Sequence, residues 1–237
     1  PDFGVAAHEV GPRRQAAVAR LADEVLGRVG ARGLGVRRRF AIVPALALEA
    51  DAAALQRLRD DPAVLRIDLD MPGGAHATLA PDEASVLNAV SPLQGLGWDG
   101  TGMKVAVVDT GIDTNHLDLQ TRIVGQQCFC SATSGTGGCC PNGQPSMTGA
   151  GAAEDDNGHG TNVAGLMAGL GVAAPRGALP NAQIVAVKVL DRNSSFCCSS
   201  DIVAAMDWIA SVHPDIDAVN LSLGTNALFP GDCENAT

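Results

Sequence analysis

Two residues of this sequence, an acid and an imidazole, stand at positions suited to chemistry. Asp109 ends a continuous apolar run at residues 104–109, which is typical of a strand buried on both faces of a parallel sheet. Functional groups collect at the carboxyl ends of such strands. His159 lies between Gly158 and Gly160 at the start of a predicted helix, where small neighbours leave the imidazole accessible and let the backbone approach a partner.

Asp109 by itself admits two other interpretations. A nucleotide-binding fold can place an acid at a strand end to bind ribose, but Gly111 and Gly125 do not have the spacing of a G-x-G-x-x-G turn. Alternatively, Asp109 caps the turn at Thr110 and Gly111 and has no chemical role. The second motif, around His159, favours a functional site over both.

Three motifs together resemble the subtilisin-like serine peptidases, or subtilases. They are VVDTGID at residues 107–113, GHGTNVAG at residues 158–165 and NLSLG at residues 220–224, in this order. Each is moderately specific, and the three together are very specific. The acid precedes the histidine, as in the subtilisin order of acid, histidine and serine. Asn162 replaces a second histidine that is usual in bacterial relatives, at a position that faces the helix rather than the chemistry.

The resemblance implies a role for each candidate residue. Asp109 would hold the imidazole of His159 in the right tautomer, and His159 would take a proton from a serine hydroxyl and return it to the leaving amine. Ser222, Leu223 and Gly224 match the segment whose backbone pairs with an extended substrate. The implied activity is hydrolysis of peptide bonds through an acyl-enzyme, with protein or peptide substrates.

The nucleophile of this family follows the Ser-Leu-Gly segment in a G-T-S-M-A motif, with an oxyanion-hole asparagine between the two. The chain ends at Thr237, before either is expected. Ser146 lies before His159 and lacks the flanking Gly-Thr, so it does not qualify. We therefore expect a truncated peptidase precursor that is inactive by itself. The alternative is a non-catalytic pseudoprotease or inhibitor-like binding module, in which Asp109 and His159 are relics.

Asp118 falls where many members of the resembled family hold a structural calcium with a carboxylate. Against a calcium site, the connection at residues 166–181 is compact and lacks the longer loop that would complete it. The acidic run Glu154, Asp155 and Asp156 is typical of a solvated loop. We expect no catalytic metal and no cofactor, with calcium at Asp118 as the one structural cation to consider.

All seven cysteines lie after residue 80, in predicted loops: Cys128, Cys130, Cys139, Cys140, Cys197, Cys198 and Cys233. Loop cysteines in an exported protein are usually disulfides, whereas a zinc site would need repeated C-x-x-C pairs or flanking histidines. We expect disulfides, with residues 128–140 tied largely within their own loop, and a secreted or periplasmic protein. The odd count leaves one thiol free or paired elsewhere.

The elements that must position the candidate site alternate between strand and helix. Apolar strands are predicted at residues 104–109, 183–190 and 218–223, and helices at residues 160–170 and 201–211, the last capped by Ser200. This order predicts an α/β fold with a doubly wound, mostly parallel sheet. By resemblance it is subtilisin-like and incomplete.

The N-terminal residues predict a small α+β sandwich without candidate chemistry. It consists of a helix at residues 15–29, short strands within 39–48, a helix begun by Asp51 and ended at Pro62, and a half-buried edge strand at 65–70. The sandwich resembles the inhibitory propeptide of the family. By that resemblance, residues 71–79 would lie in the substrate channel beside Ser222.

Charge counting locates the boundary between the two parts. Residues 1–80 contain 11 basic and 10 acidic residues, whereas the remainder contains 5 and 16. We expect a propeptide-like domain at residues 1–72, a linker with the maturation site at 73–80, and the N-terminal part of a catalytic domain at 81–237.

Composition excludes several other classes of protein. A hydrophobic fraction of 46% and a charged fraction of 18% describe a globular chain. The net charge of -10, with 3% aromatic residues and no tyrosine, argues against a nucleic-acid partner. No apolar run approaches the roughly 20 residues of a membrane-spanning helix, so we expect no membrane partner.

Overall fold

The computed structural model of this chain describes residues 11–75, 90, 92–132 and 137–225. The strands in these ranges form a two-stranded, a three-stranded and a five-stranded sheet. No helix within the same ranges combines the length and apolar character needed to cross a bilayer.

The N-terminal part opens with a long amphipathic helix, α1, Pro12–Val29. Proline suits the first turn because its missing N–H would have no partner there. The helix ends at Gly30, which adopts a φ of 74° that side chains disfavour. Its buried residues, Val18, Ala22, Val25 and Val29, recur at helical spacing. The predicted helix is confirmed and starts three residues earlier than expected.

An antiparallel hairpin follows, formed by β1, Leu34–Arg39, and β2, Leu46–Ala50. The predicted position of the first strand is wrong, because residues 40–45 connect the two strands instead. Phe40 and Val43 of this connection pack with Ala47 of β2 and against Ala204 of the second part of the chain. Helix α2, Ala52–Asp60, begins as predicted at Asp51, whose carboxylate accepts the Ala54 N–H at 2.7 Å.

Residues 65–70 form no strand, so the predicted edge strand is wrong. Leu65 and Leu69 are 79% and 83% exposed. Within the described ranges the β1–β2 sheet consists of two strands, and neither of them pairs with residues 65–70. A strand forms slightly later instead, as β3, Gly73–Ala75. This short strand belongs to a different sheet.

The five-stranded sheet carries the core of the second part, in the order β6-β5-β7-β4-β9. Its strands are β4 Lys104–Asp109, β5 Ile123–Phe129, β6 Ser146–Thr148, β7 Gln183–Lys188 and β9 Ala218–Leu221. All neighbouring pairs are parallel except β5 and β6. The mostly parallel sheet is as predicted, although sequence patterns missed β5 and β6.

Helices pack on both faces of this sheet. Helix α3, His159–Ala168, covers one face, where Val163 and Ala164 contact Val107 and its neighbours. Helix α4, Ser199–Val212, covers the other, where Ala205 and Ile209 lie in the cluster of Val108. Because alternate strand residues face opposite helices, the strands are apolar throughout.

A second small sheet joins the two parts of the chain. In it β3 lies between β8, Ser195–Phe196, and β10, Leu223–Gly224. Ser200 is not the cap of α4, since the N-cap residue is Cys198. The Ser200 N–H is instead bound at 2.8 Å by the carboxylate of Asp70, which is distant in sequence.

Candidate active site

Asp109 and His159 form a hydrogen-bonded pair at the carboxyl end of β4. Asp109 is fully buried, and its Oδ1 lies 2.7 Å from Nδ1 of His159, whose side chain is 13% exposed. Because an ionised carboxylate can only accept, Nδ1 carries the hydrogen and Nε2 is the basic nitrogen. Nε2 has no hydrogen-bond partner among the residues that the structure describes. The pair can therefore accept a proton at Nε2 and stabilise the resulting imidazolium.

The protonation of Asp109 reflects two opposing effects. Burial raises the pKa of Asp109, while hydrogen bonds from His159 and from the backbone N–H of Thr110 oppose the rise. The net effect is a pKa above the ordinary value. Acid therefore protonates Asp109 earlier than a solvated carboxyl, which would remove the charge that the imidazolium needs.

Gly160 lets α3 approach β4 closely enough for this contact, whereas Gly158 is required by its backbone conformation. A Cβ on Gly160 would lie 2.1 Å from the carbonyl oxygen of Gly111, so only glycine fits there. The Gly160 N–H donates to Thr110 Oγ1 at 2.9 Å. Gly158, the residue before the helix, has a φ of 105°, in the region that side chains rarely adopt. The glycines beside His159 thus have a steric reason.

Asp155 organises the turn that presents His159, a role that sequence patterns missed. Its Oδ1 accepts from Thr110 Oγ1 and from the N–H groups of Asn157 and Gly158, at 2.9–3.0 Å. Its Oδ2 accepts from Thr161 N and Oγ1, at 3.0 and 2.5 Å. Burial alone would raise the pKa of Asp155, but these donors outweigh it and the pKa is lowered. Asp155 therefore stays ionised and connects β4 to α3.

The expectation of a solvated acidic loop at residues 154–156 holds only in part: the segment is a loop and the Asp156 side chain is 49% exposed, but its carboxylates bind donors of the protein. Besides Asp155, Asp156 accepts at 2.7 Å from Lys188 Nζ, and Glu154 accepts at 2.7 Å from Thr114 Oγ1. Lys188 is 1% exposed and also donates to the carbonyl of Thr110 at 2.6 Å. The sequence did contain a signal for these contacts. Lys188 ends the mostly apolar strand β7, and a buried ammonium group needs hydrogen-bond partners.

The predicted substrate-binding residues border a cleft occupied by the chain itself. Leu223 and Gly224 pair antiparallel with Ala75 and Gly74 of β3. Ser222 lies outside the strand, and its Oγ accepts from Asn220 at 2.9 Å. Residues 76–79, which were also expected in the channel, are outside the described residues.

The chain matches the subtilase family over residues 100–236, more than half of its length. The chain belongs to the subtilase family. It is 32% identical over 197 residues to subtilisin E of Bacillus subtilis (strain 168), covering 83% of this chain and 46% of that protein. Alkaline elastase YaB of Bacillus sp. (strain YaB) is 35% identical over 191 residues, covering 79% and 43%. The extracellular serine proteinase of Thermus sp. (strain Rt41A) is 32% identical over 214 residues, covering 87% and 47%.

This subtilase spans about half the length of the curated relatives it matches. Family membership confirms the resemblance that the three motifs carried. It also implies the α/β fold, with which the parallel strands of the central sheet agree.

The N-terminal part of the subtilase contacts α4 through carboxylates. Asp207, which is buried, accepts the backbone N–H groups of residues 41–43 at 2.6–2.9 Å. Asp201, also buried, pairs with Arg38 and accepts from Ser131 N at 2.7 Å. Together with Asp70 on Ser200, these contacts bind two N-terminal segments, residues 38–43 and Asp70, to one helix.

Asp118, the candidate calcium ligand of this subtilase, is surrounded by donors. Its two carboxylate oxygens accept the backbone N–H groups of Val172, Ala173 and Ala174. Burial alone would raise the pKa of Asp118, but these N–H groups outweigh it and the pKa is lowered. Three N–H dipoles that point at a carboxylate repel a cation, so the donor set does not fit calcium.

Six cysteines form three disulfides, as predicted for this part of the chain: Cys128–Cys140, Cys130–Cys139 and Cys197–Cys198. The first two tie residues 128–140 within their own segment, as expected. Cys128 lies in β5 rather than in a loop. Cys233 is outside the described residues.

Proposed function

We propose that this chain is the N-terminal part of a serine endopeptidase that hydrolyses peptide bonds of proteins or peptides through an acyl-enzyme. The observation that carries the proposal is the 2.7 Å contact between Asp109 Oδ1 and His159 Nδ1, which leaves Nε2 as the basic nitrogen. His159 would take the proton from the nucleophilic serine at Nε2, and Asp109 would stabilise the imidazolium. His159 would then return the proton to the leaving amine.

A second part of the proposal concerns substrate binding. An extended peptide would add a strand between β8 and β10, so that main-chain hydrogen bonds supply affinity. Ser222, Leu223 and Gly224 would line this cleft on one side. The strand β3, which pairs with both neighbours, supports the proposal because it shows that a third strand fits there.

We further propose that residues 1–72 act as an inhibitory propeptide, that residues 73–80 contain the maturation site, and that residues 81–237 begin the catalytic domain. The carboxylate contacts to α4 and the strand in the cleft support this division. Secretion is consistent with three disulfides and with the relative that is named extracellular.

The decisive experiment is an activity comparison between these 237 residues and the complete protein. The 237 residues contain no G-T-S-M-A motif, so we expect neither hydrolysis of a peptide amide nor labelling by a serine-directed phosphonate. The complete protein should show both after maturation. Stoichiometric labelling of the 237-residue chain would contradict the prediction that these residues lack the nucleophilic serine. A complete protein that binds peptides without cleaving them would support the binding-module alternative.

We propose that backbone N–H groups, and not calcium, stabilise Asp118. Asp118→Asn should lower the Tm by roughly 4–8 °C at neutral pH, because a buried carboxylate with several hydrogen bonds is lost. Since the folded-state pKa of Asp118 is lowered, its stabilisation is present above the unfolded pKa of about 3.9. It disappears as pH falls through the folded pKa, so the Tm difference should shrink in acid.

Thermal melts between pH 2 and 7, with and without EDTA, check this prediction. Asp68→Asn is the matched control, since the Asp68 side chain is 62% exposed and should shift the Tm little. A large EDTA-induced fall in Tm that Asp118→Asn abolishes would show that Asp118 binds a cation after all.

A further inference from the structure

The chain segment in the cleft carries two adjacent glycines where the neighbouring strands approach it most closely. Gly73 pairs with Phe196 of β8. Gly74 pairs with Ser195 on one side and with Gly224 on the other. The two glycines are therefore enclosed by backbone from both sides of the cleft.

Neither glycine position has room for a side chain. A Cβ on Gly73 would lie 2.3 Å from the carbonyl oxygen of Gly224 and 2.4 Å from Cζ of Phe196. A Cβ on Gly74 would lie 2.7 Å from the carbonyl oxygen of Ser194. Non-bonded carbon atoms prefer separations of about 3.5–4.0 Å, and neither glycine has a positive φ. Space, and not backbone conformation, therefore demands glycine.

The atoms that close these positions have little freedom to retreat. Phe196 is 4% exposed and belongs to the core cluster that contains Ala205 and Ile209, so its ring is held from behind. The other two obstacles, the oxygens of Gly224 and Ser194, are backbone atoms. Cores packed in this way resist added volume.

A tight turn fixes the Ser194 carbonyl in place. Ser194 has a φ of 58°, and its N–H donates to the Asp191 carbonyl at 3.0 Å. The Asp191 carboxylate accepts from Ser195 N, also at 3.0 Å. In this arrangement the Ser194 carbonyl accepts the Ala75 N–H at 2.8 Å. The same oxygen thus binds the cleft strand and excludes a side chain from Gly74.

We infer that the cleft selects substrates with two consecutive glycines, one opposite Phe196 and the next opposite Ser195. This inference rests on the proposed peptidase function, because it assumes that substrates follow the path of β3. The residue after the glycines, opposite Leu223, accepts at least a methyl group, since Ala75 stands there. The favoured substrate class is glycine-rich extended polypeptide.

Peptide hydrolysis by the complete, matured enzyme tests the inference. The peptides contain Gly-Gly-Ala, Ala-Gly-Ala or Gly-Ala-Ala before the same scissile bond. Either alanine substitution should lower kcat/KM by roughly 10- to 100-fold, the effect expected for forcing a methyl group into a closed site. Equal kcat/KM for all three peptides would overturn the inference and leave the peptidase function intact.

The variant Phe196→Ala separates the two positions. Removal of the ring takes away one of the two obstacles at Gly73, the other being the Gly224 carbonyl oxygen, and leaves the single obstacle at Gly74, the Ser194 carbonyl oxygen, in place. The preference for glycine over alanine should therefore fall several-fold at the first position and stay unchanged at the second, which serves as the internal control. An equal change at both positions, or no change at either, would contradict the role of Phe196.

The glycine requirement can also be tested on the 237-residue chain, by a measurement that does not depend on catalysis. Hydrogen exchange of the Ala75 amide reports whether β3 stays in the cleft, because that N–H is bound to Ser194. Gly73→Ala and Gly74→Ala should each speed this exchange by roughly 10- to 100-fold. Gly35→Ala is the matched control, since a Cβ at that strand glycine would meet its neighbour at an ordinary 3.6 Å.

The two assays distinguish failure of the inference from failure of the proposed function. Accelerated exchange in Gly73→Ala and Gly74→Ala of the 237-residue chain, together with a complete, matured protein that cleaves no peptide, would support the glycine requirement and refute the peptidase. Unchanged exchange in both variants would refute the glycine requirement whatever the activity.

Discussion

Replacement of His159 by alanine in the complete enzyme is expected to lower kcat by roughly 10⁴- to 10⁶-fold, the range found when subtilisin itself loses a residue of its triad. The reason is that Nε2 of His159 is the proposed base, and Asp109 cannot act on the nucleophile without it. The measurement is kcat for a peptide amide, with folding verified by circular dichroism. A loss of less than tenfold would remove His159 from the mechanism.

His213→Ala is the matched control for this substitution. His213 is the C-cap residue that follows α4 and lies beside Trp208, at a ring-centroid distance of 4.8 Å. The neighbouring Asp215 pairs with Lys104 at the start of β4, so His213 lies at the end of the sheet opposite to Asp109. We expect its loss to change kcat by less than a few-fold.

Residues 1–77, supplied as a separate polypeptide, are expected to inhibit the matured enzyme and to speed its refolding. A version that ends at Asp70 keeps the carboxylate and Arg38 contacts to α4 but loses β3 and its hydrogen bonds to both sides of the cleft. Because each such bond contributes about 1 kcal/mol, the shorter version should bind roughly 10- to 100-fold more weakly. The measurement is the inhibition constant of each version.

Arg38→Gln in the longer version provides a control for the α4 contacts. It removes the pair with Asp201 but leaves the cleft strand complete, so it should weaken inhibition without abolishing it. Equal inhibition by the 1–77 and 1–70 versions, or none by either at micromolar concentration, would contradict the assignment of β3 to the substrate path.

Local sequence was sufficient for the parts of the site that depend on neighbouring residues. The apolar run of residues 104–109 predicts a strand buried on both faces. The position of Asp109 at the end of this strand follows from the same local run. Gly158 and Gly160 likewise predict a close approach around His159. Asp51 starts α2 from three residues away, within reach of a single turn.

Sequence patterns did not correctly predict every strand. Strand β5, Ile123–Phe129, is of mixed polarity because part of it lies at intermediate exposure. Residues 65–70 show the opposite error, since perfect alternation produced no strand. Alternation predicts a face that could be half-buried, but a strand also requires a neighbour to pair with, and no described strand lies beside residues 65–70.

Tertiary structure alone decided which side chains complete the site and the contacts around it. Asp155 reaches Thr110 across 45 residues, Asp70 reaches Ser200 across 130, and Asp207 reaches Ala41 across 166. The local sequence around each carboxylate is equally compatible with a solvated loop or helix face. Which donor it meets depends on how strands and helices cross in space, and no periodicity within a single element encodes that crossing.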